Sequence, residues 1–538
     1  MSFVNAALWS VWAAMTVGAV GYVLHFGRNC PILDEWGMLA ALSGEQDLLE
    51  FLSQRHCEHR YPLPRLLFHF LFQTTGDLRS GMLASVFFLS GSAAILMTVA
   101  KRVRGRSSFA DLFFPVSFLH WGHWENLTMG YQVAFTLPCF LAACSIGLGT
   151  SHCSSDRLLV RRAAMLTVTG LLLEGCGSAG LCFAAGIGFW LLWATGCAIR
   201  NEAIRLAMTA GLGAVAVAAV ALMLIALLPP RSNPGFVPRP IDYARFAARL
   251  SATSFCPAHA TSWKVDALAA SAACMAGLLS LRQAWRMQCG LAGGAAIGLM
   301  GGTALFLGLT WGRVVCGVEA ATLSRYSVVL VPGVAASFLC TLAAGGVARR
   351  FVPAMIAFVA IAALPANVSL GIHRGTRLAG RCDAVEADLR DGLPCGLIAE
   401  RYKWEVMLCS PEQSAACFSN CKRIGLEPFR DFQPTLHTSI QTLPFQREAC
   451  QIMVTPGKGT MAIIIHGEFT PSIAAFMDLR VRWRDGPSGD WREETFRAAC
   501  CEAHTIVIRA SDETDRVEVV PESRFNYHIT KVERLVRP

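Results

Sequence analysis

Long apolar runs separated by short basic loops constrain this chain more than any other feature. Runs near 6–26, 82–100, 108–121, 133–150, 163–175, 180–198, 206–228, 265–281, 288–310, 327–346 and 351–368 carry few or no charges. A helix that crosses a bilayer needs about 20 mostly apolar residues. The pattern therefore predicts roughly eleven spans, those at 108–121 and 163–175 being short. The first run has no charged leader and no obvious small-residue cleavage site, so it reads as a retained helix rather than a signal peptide. Only 16% of the residues are charged, against about 25% in soluble domains. The deficit falls on residues 1–370, and residues 371–538 have an ordinary soluble composition.

The loops set an orientation. Lys101, Arg102, Arg104 and Arg106 fill one loop. Arg157, Arg161 and Arg162 fill the next of the same set, followed by Arg200 with Arg205, Arg282 with Arg286, and Arg349 with Arg350. These loops alternate with less basic ones, and the positive-inside rule assigns them to the cytoplasm. The N-terminus is then inside. Loops 27–80, 122–132, 229–264 and 311–326 and the C-terminal region are outside. The expected location is a membrane crossed many times, with the C-terminal domain extracytoplasmic. The net charge of +9 follows from the same basic loops. No basic stripe marks a soluble domain, which excludes nucleic acid as a partner.

Of the 21 cysteines, Cys139, Cys144, Cys274 and Cys340 lie in apolar runs, where Cys serves as a small hydrophobe. Cys382, Cys395, Cys409, Cys417, Cys421, Cys450, Cys500 and Cys501 cluster towards the C-terminus. An extracytoplasmic domain permits disulfides there. No paired CxxC spacing supports a metal site, and the pairing does not follow from sequence.

The outer loops hold the residues suited to chemistry. The first opens Asp34-Glu35-Trp36. One carboxylate of such a pair can deprotonate an acceptor hydroxyl, the alternative being a solvated interfacial turn. Ser43-Gly44-Glu45-Gln46 with Leu48, Leu49, Phe51 and Leu52 reads as a capped amphipathic helix on the membrane surface. His56-Cys57-Glu58-His59-Arg60-Tyr61 follows, with Arg65 close behind. Arginine and histidine beside a carboxylate suit phosphate or sugar binding. His56 and His59 also have an i, i+3 spacing compatible with zinc, and plain interfacial polarity is the bland alternative. The second outer loop holds His120, His123, Trp124, Glu125, Asn126, Tyr131 and Gln132. An aromatic belt explains the tryptophans but not Glu125, because a carboxylate at membrane depth is expensive and marks function by default. Loop 229–264 carries Arg231, Arg239, Arg245 and Arg249 among prolines. Arg325-Tyr326 opens a later span, where the arginine can hold a phosphate or snorkel to lipid headgroups.

Asp34-Glu35-Trp36, Glu58-His59-Arg60, Glu125-Asn126 with Gln132, and Arg325-Tyr326 resemble the segments of bacterial GT-C glycosyltransferases. These polytopic enzymes share their architecture with protein O-mannosyltransferases and aminoarabinose transferases. The resemblance covers about residues 1–370. It implies a polyprenyl-phosphate-linked sugar as donor and an extracytoplasmic glycan, lipid or protein as acceptor, with inversion at the sugar. It implies Asp34 or Glu35 as base, and His56, Glu58, His59, Arg60, Glu125, Asn126, Gln132, Arg325 and Tyr326 as substrate-binding residues. Arg325 and Arg60 would hold the lipid phosphate. The chain has no obvious DxD motif, so no metal and no other cofactor is assigned.

Residues 371–437 read as a helical connector. Residues 438–538 hold short β-prone runs at 451–454, 461–465, 475–483, 505–508, 516–520 and 527–532, which predict a β-sandwich. Trp483 and Trp491 there are either core residues or sugar-stacking platforms. The expectation is a GT-C-like transmembrane domain, a connector and an extracytoplasmic β-sandwich. A flippase or transporter of lipid-linked glycans is one alternative, which would need intramembrane charges and internal repeats. A membrane anchor that displays a glycan-binding domain is the other, and it needs only one or two spans.

Overall fold

The computed structural model describes residues 3–56, 60–150, 155–226, 237–257, 263–287, 289–344, 346–403, 405–430, 432, 439–443, 451–453, 458–469, 476–486, 489–499, 504–521 and 527–536. Its helices are α1 (Phe3–Phe26), α2 (Leu39–Leu42), α3 (Leu48–Ser53), α4 (Pro62–Thr75), α5 (Arg79–Arg104), α6 (Phe113–Leu119), α7 (Trp124–Thr128), α8 (Val133–Gly149), α9 (Asp156–Glu174), α10 (Ser178–Arg200), α11 (Ile204–Ala226), α12 (Pro240–Thr253), α13 (Trp263–Met287), α14 (Cys289–Arg313), α15 (Ser324–Ala344), α16 (Ala348–Arg390), α17 (Cys395–Arg401) and α18 (Pro411–Arg423). The strands are β1 (Ser439–Thr442), β2 (Gln451–Met453), β3 (Thr460–Phe469), β4 (Phe476–Asp485), β5 (Trp491–Ala499), β6 (His504–Arg509), β7 (Thr514–Pro521) and β8 (Tyr527–Val536). The chain is a polytopic helical membrane protein with a C-terminal sheet region.

Two compact units divide the chain. One holds residues 1–27 and 48–376, the other residues 28–47 and 377–538. The opening of the first polar loop thus belongs to the C-terminal unit.

In the helical unit, nine helices among the described residues are long and apolar enough to cross a membrane: α1, α5, α8, α10, α11, α13, α14, α15 and α16. Two of the expected runs are not among them. Run 108–121 breaks into a 3₁₀ turn at Phe109–Leu112 and the seven-residue α6, too short to span. Run 163–175 lies in α9, whose length is adequate, but Asp156, Arg157, Arg161 and Arg162 charge its first half. The centre of the unit is α15, buried along its whole apolar stretch. Small residues let its neighbours come close, as membrane helices require. A Cβ added at Gly302 of α14 would lie 2.7 Å from the Gly333 Cα of α15, and one at Gly149 of α8 would lie 2.7 Å from the Gly294 Cα of α14. Outward faces stay apolar, with Leu212, Val215, Leu222 and Met223 of α11 and Leu268 and Leu279 of α13 exposed. Contiguous exposed apolar surface of this kind needs a partner, and lipid supplies one.

In the C-terminal unit, the strands form two antiparallel sheets, ordered β1-β8-β3-β6 and β2-β7-β4-β5. Ile463, Ile465, Ile506 and Val532 from one sheet and Leu479, Val481, Phe496 and Val517 from the other share one apolar cluster. Trp483 belongs to that cluster, so it is a core residue. Trp491 is half-buried beneath the guanidinium groups of Arg482, Arg484 and Arg516, at 5.0, 5.5 and 5.9 Å. The helical part of the unit meets the sheets through charge. Buried Asp388 of α16 accepts the Tyr402 hydroxyl at 2.7 Å and faces Arg401 and Arg509. Glu494 of β5 pairs with Arg401 at 2.8 Å and with Arg381.

Candidate functional site

Glu125 organises the polar end of the helical unit. The chain leaves α6, turns at Trp121–His123, makes the short α7 and turns again at Gly130–Gln132 before α8. These turns are tight because their backbones sit against neighbouring elements. A Cβ on Gly81 of α5 would meet the Gly130 carbonyl oxygen at 2.4 Å, so only glycine fits there. Glu125 is buried, and its Oε2 accepts the Ser324 hydroxyl at 2.7 Å and the Arg325 backbone N–H at 2.9 Å. Its own N–H donates to the Ser324 hydroxyl at 3.2 Å. The first amides of a helix lack intrahelical partners and carry positive partial charge. Glu125 therefore caps α15 from about two hundred residues away.

The remaining residues of the loop gather round this cap. The Asn126 side-chain amide donates to the Ser324 carbonyl at 3.3 Å. That contact assigns the Asn126 nitrogen and leaves its buried Oδ1 without a partner among the described residues. The Gln132 Oε1 is buried in the same condition. Tyr326 is buried against Phe246, Leu250, Val314 and Leu330, and the Arg325 guanidinium lies 5.8 Å from the Tyr326 ring centre. His56 reaches the loop from the other side, its ring 5.7 Å from that of Tyr131. The structure thus brings His56, Glu125, Asn126, Gln132, Arg325 and Tyr326 into one region of the helical unit. Arg60 adjoins the α9–α10 turn, where Gly177, at φ +79°, leaves room for the Tyr61 ring and the Arg60 carbonyl. Glu58 and His59 lie outside the described residues.

Sequence reasoning passed over several supports. His123 is buried; its Nε2 lies 2.8 Å from the Ser117 carbonyl and its Nδ1 2.6 Å from the Ser327 hydroxyl. Burial pushes its pKa from 6.5 down to about 4. The ring is therefore neutral near pH 7, with Nε2–H donating to Ser117 and Nδ1 facing the hydroxyl of Ser327. His120 stacks on it at 3.9 Å, with both nitrogens buried and unpartnered among the described residues. Arg65, quoted with the first-loop cluster, is a structural residue. It is buried over Phe51, and its guanidinium donates to the Phe51 and Gln54 carbonyls at the end of α3. Glu174, at the end of α9, is buried with neither carboxylate oxygen hydrogen-bonded among the described residues. Its only sequence signal is a lone acid closing an apolar run.

Asp34 and Glu35 sit in the C-terminal unit, in the 3₁₀ turn Leu33–Met38. Glu35 is buried, and its Oε2 accepts the Ile32 N–H at 2.8 Å, closing its own turn. Asp34 is half-buried. Leu33, just before the pair, has φ +50°, a left-handed conformation costly for a branched side chain. The Leu33 N–H and the Trp36 indole both donate to the Val406 carbonyl, at 2.7 and 2.9 Å, and hold the turn in place. Trp36 also packs on Phe418 and Phe429.

No family model, curated protein or solved structure matches the chain.

Proposed function

We propose that the protein is a glycosyltransferase of GT-C type, moving a sugar from a polyprenyl-phosphate donor to an extracytoplasmic glycan, lipid or protein acceptor with inversion. The observation that carries this reading is the loop between α6 and α8. It presents a buried carboxylate hydrogen-bonded at a helix start, next to two buried amide oxygens, Asn126 Oδ1 and Gln132 Oε1, that lack donors among the described residues. A site built from acceptors calls for a ligand rich in donors, and sugar hydroxyls are such donors. Arg325 beside the loop supplies a cation for the donor phosphate.

Asp34 is the general base of this proposal. Glu35 spends Oε2 on its own turn and is almost fully buried, which suits it to holding Asp34 in place. The acceptor hydroxyl loses its proton to Asp34 and attacks the anomeric carbon, and the lipid phosphate leaves with the bonding electron pair. The reading includes the expected orientation, with a cytoplasmic N-terminus and a periplasmic C-terminal domain. The C-terminal β-sandwich then stands on the acceptor side, as a glycan-binding module or a structural cap.

One observation favours a second reading, a transporter of lipid-linked glycan. Glu174 is a buried carboxylate without hydrogen bonds among the described residues, and such groups mark ion or proton pathways in membrane proteins. The assay that separates the two uses the full chain in lipid with a panel of polyprenyl-phosphate sugars, reading sugar transfer and release alongside donor binding. Turnover lost in Asp34→Asn supports the enzyme. Donor binding without transfer, sensitive to Glu174→Gln, supports the transporter.

A further inference from the structure

Five cysteines of the C-terminal unit lie close together: Cys30 in the first polar segment, Cys382 in α16, Cys409 just before α18, and Cys417 and Cys421 within it. The Cys30 thiol hydrogen-bonds with the Cys382 thiol, and the Cys409 thiol with the Cys417 thiol. Cys30, Cys382 and Cys409 are buried, and Cys417 is half-buried. Two thiols close enough to hydrogen-bond are neighbours whose sulfurs still have to close to about 2.05 Å to bond. The surroundings hold each pair in place. Beside the first, Arg28 pairs with Asp383 at 2.7 Å, which ties the residues next to Cys30 to the helix that carries Cys382. Further along the same segment, Ser43 donates to Asn420 at 3.1 Å and Asn420 donates to Glu45 at 2.8 Å. Beside the second pair, the Ser410 hydroxyl caps α18 by accepting the Gln413 N–H at 3.4 Å, which fixes Cys409 against the first turns of that helix. No group of three or more His, Cys, Asp or Glu side chains among the described residues is placed to hold a metal, so the contacts are pairwise.

We propose that the protein carries two disulfide bonds, Cys30–Cys382 and Cys409–Cys417. The first staples residues 28–47 to α16, and the second locks the entry to α18. Each forms by thiol–disulfide exchange with a donor disulfide of an oxidising compartment. One thiolate attacks the donor, giving a mixed disulfide, and the second thiolate then displaces the donor as a dithiol. The two electrons and, in net, the two thiol protons pass to the donor. Cys421, fully buried, stays a thiol. The proposal is independent of the glycosyltransferase reading, since it concerns how the unit is tied together and which compartment it faces.

The test is to quench cells making the full chain with acid, block free thiols with a maleimide before lysis, and map peptides without reductant. The expected result is two linked peptide pairs, Cys30 with Cys382 and Cys409 with Cys417, both lost on reduction. In Cys30→Ser the Cys382 peptide becomes alkylated, and in Cys409→Ser the Cys417 peptide does. Alkylation of all four cysteines in the unreduced native chain overturns the proposal, as does a different linkage such as Cys30 with Cys421. One pair linked and the other alkylated overturns the second bond alone.

Discussion

Asp388 in the C-terminal unit faces Arg401 and Arg509 and takes the Tyr402 hydroxyl, and Glu494 is met by Arg381 and Arg401. Glu125 in the helical unit is instead met by a hydroxyl and a backbone amide, and Glu174 by no hydrogen-bond donor among the described residues. Both regions bury carboxylates, and some are matched with guanidinium groups, as Asp388 and Glu494 are and as Asp111 of the helical unit is by Arg104 at 2.8 Å, whereas, among the described residues, Glu125 and Glu174 are not. A carboxylate locked between cations has its charge neutralised and its geometry fixed, so it serves the fold. One met by no cation has that position open to a ligand. The difference separates structural acids from candidate functional ones without reference to any relative.

The largest effect expected is in the paired region. Asp388→Ala takes from buried Arg401 one of its two carboxylates, Glu494 remaining, and leaves the buried Tyr402 hydroxyl without its acceptor, and should cost about 3 kcal/mol or more in thermal or denaturant unfolding of the full chain. An Asp388→Ala protein as stable as wild type would break the comparison from its structural side. Next comes His123, whose folded pKa of about 4 lies below its ordinary 6.5. Above pH 6.5 the ring is neutral in both folded and unfolded chains. As pH falls from 6.5 to 4, only the unfolded chain gains the proton. Stability should therefore drop by up to about 3 kcal/mol over that window. His123→Gln should flatten the pH profile, and an unchanged profile would remove His123 from the account. Glu125→Gln should cost about 1 kcal/mol or less, because a neutral amide oxygen still accepts from Ser324 and Arg325 while losing the charge–dipole term. Glu35→Gln should be smaller still, since the Ile32 N–H keeps an acceptor; a cost above that of Glu125→Gln would reverse the ranking.

Much of the architecture is legible in the sequence because bilayer spans and strands announce themselves by period and length. Nine of the expected apolar runs correspond to long apolar helices, and six of the eight strands among the described residues lie where β-prone runs occur. The two strands that were not anticipated, β1 and β5, are both sheet edges. β5 carries Arg492, Glu493, Glu494 and Arg497, the charges that blunt an edge and also erase its apolar alternation. Glu35 closing its own turn is a contact across three residues and fits a local reading. Glu125 capping α15 spans about two hundred residues, and nothing in the Trp-Glu-Asn stretch points to Ser324. For the same reason the loop opening at 28–47 gives no sign in its composition that it packs with residues 377–538. The Val406 carbonyl that holds it is a long-range acceptor.

The most direct test of the central claim measures sugar transfer from polyprenyl-phosphate donors by the full chain in lipid, for wild type, Asp34→Asn, Glu125→Gln and Asp388→Asn, with unfolding midpoints recorded on the same samples. The account predicts that Asp34→Asn and Glu125→Gln each lose about a hundredfold or more in turnover, Asp34→Asn at the wild-type midpoint and Glu125→Gln with a midpoint lowered no further than a loss of about 1 kcal/mol in stability allows. It predicts that Asp388→Asn lowers the midpoint and, once folded, keeps its turnover. Turnover that survives in both Asp34→Asn and Glu125→Gln, or that falls only in step with the midpoint, would contradict it.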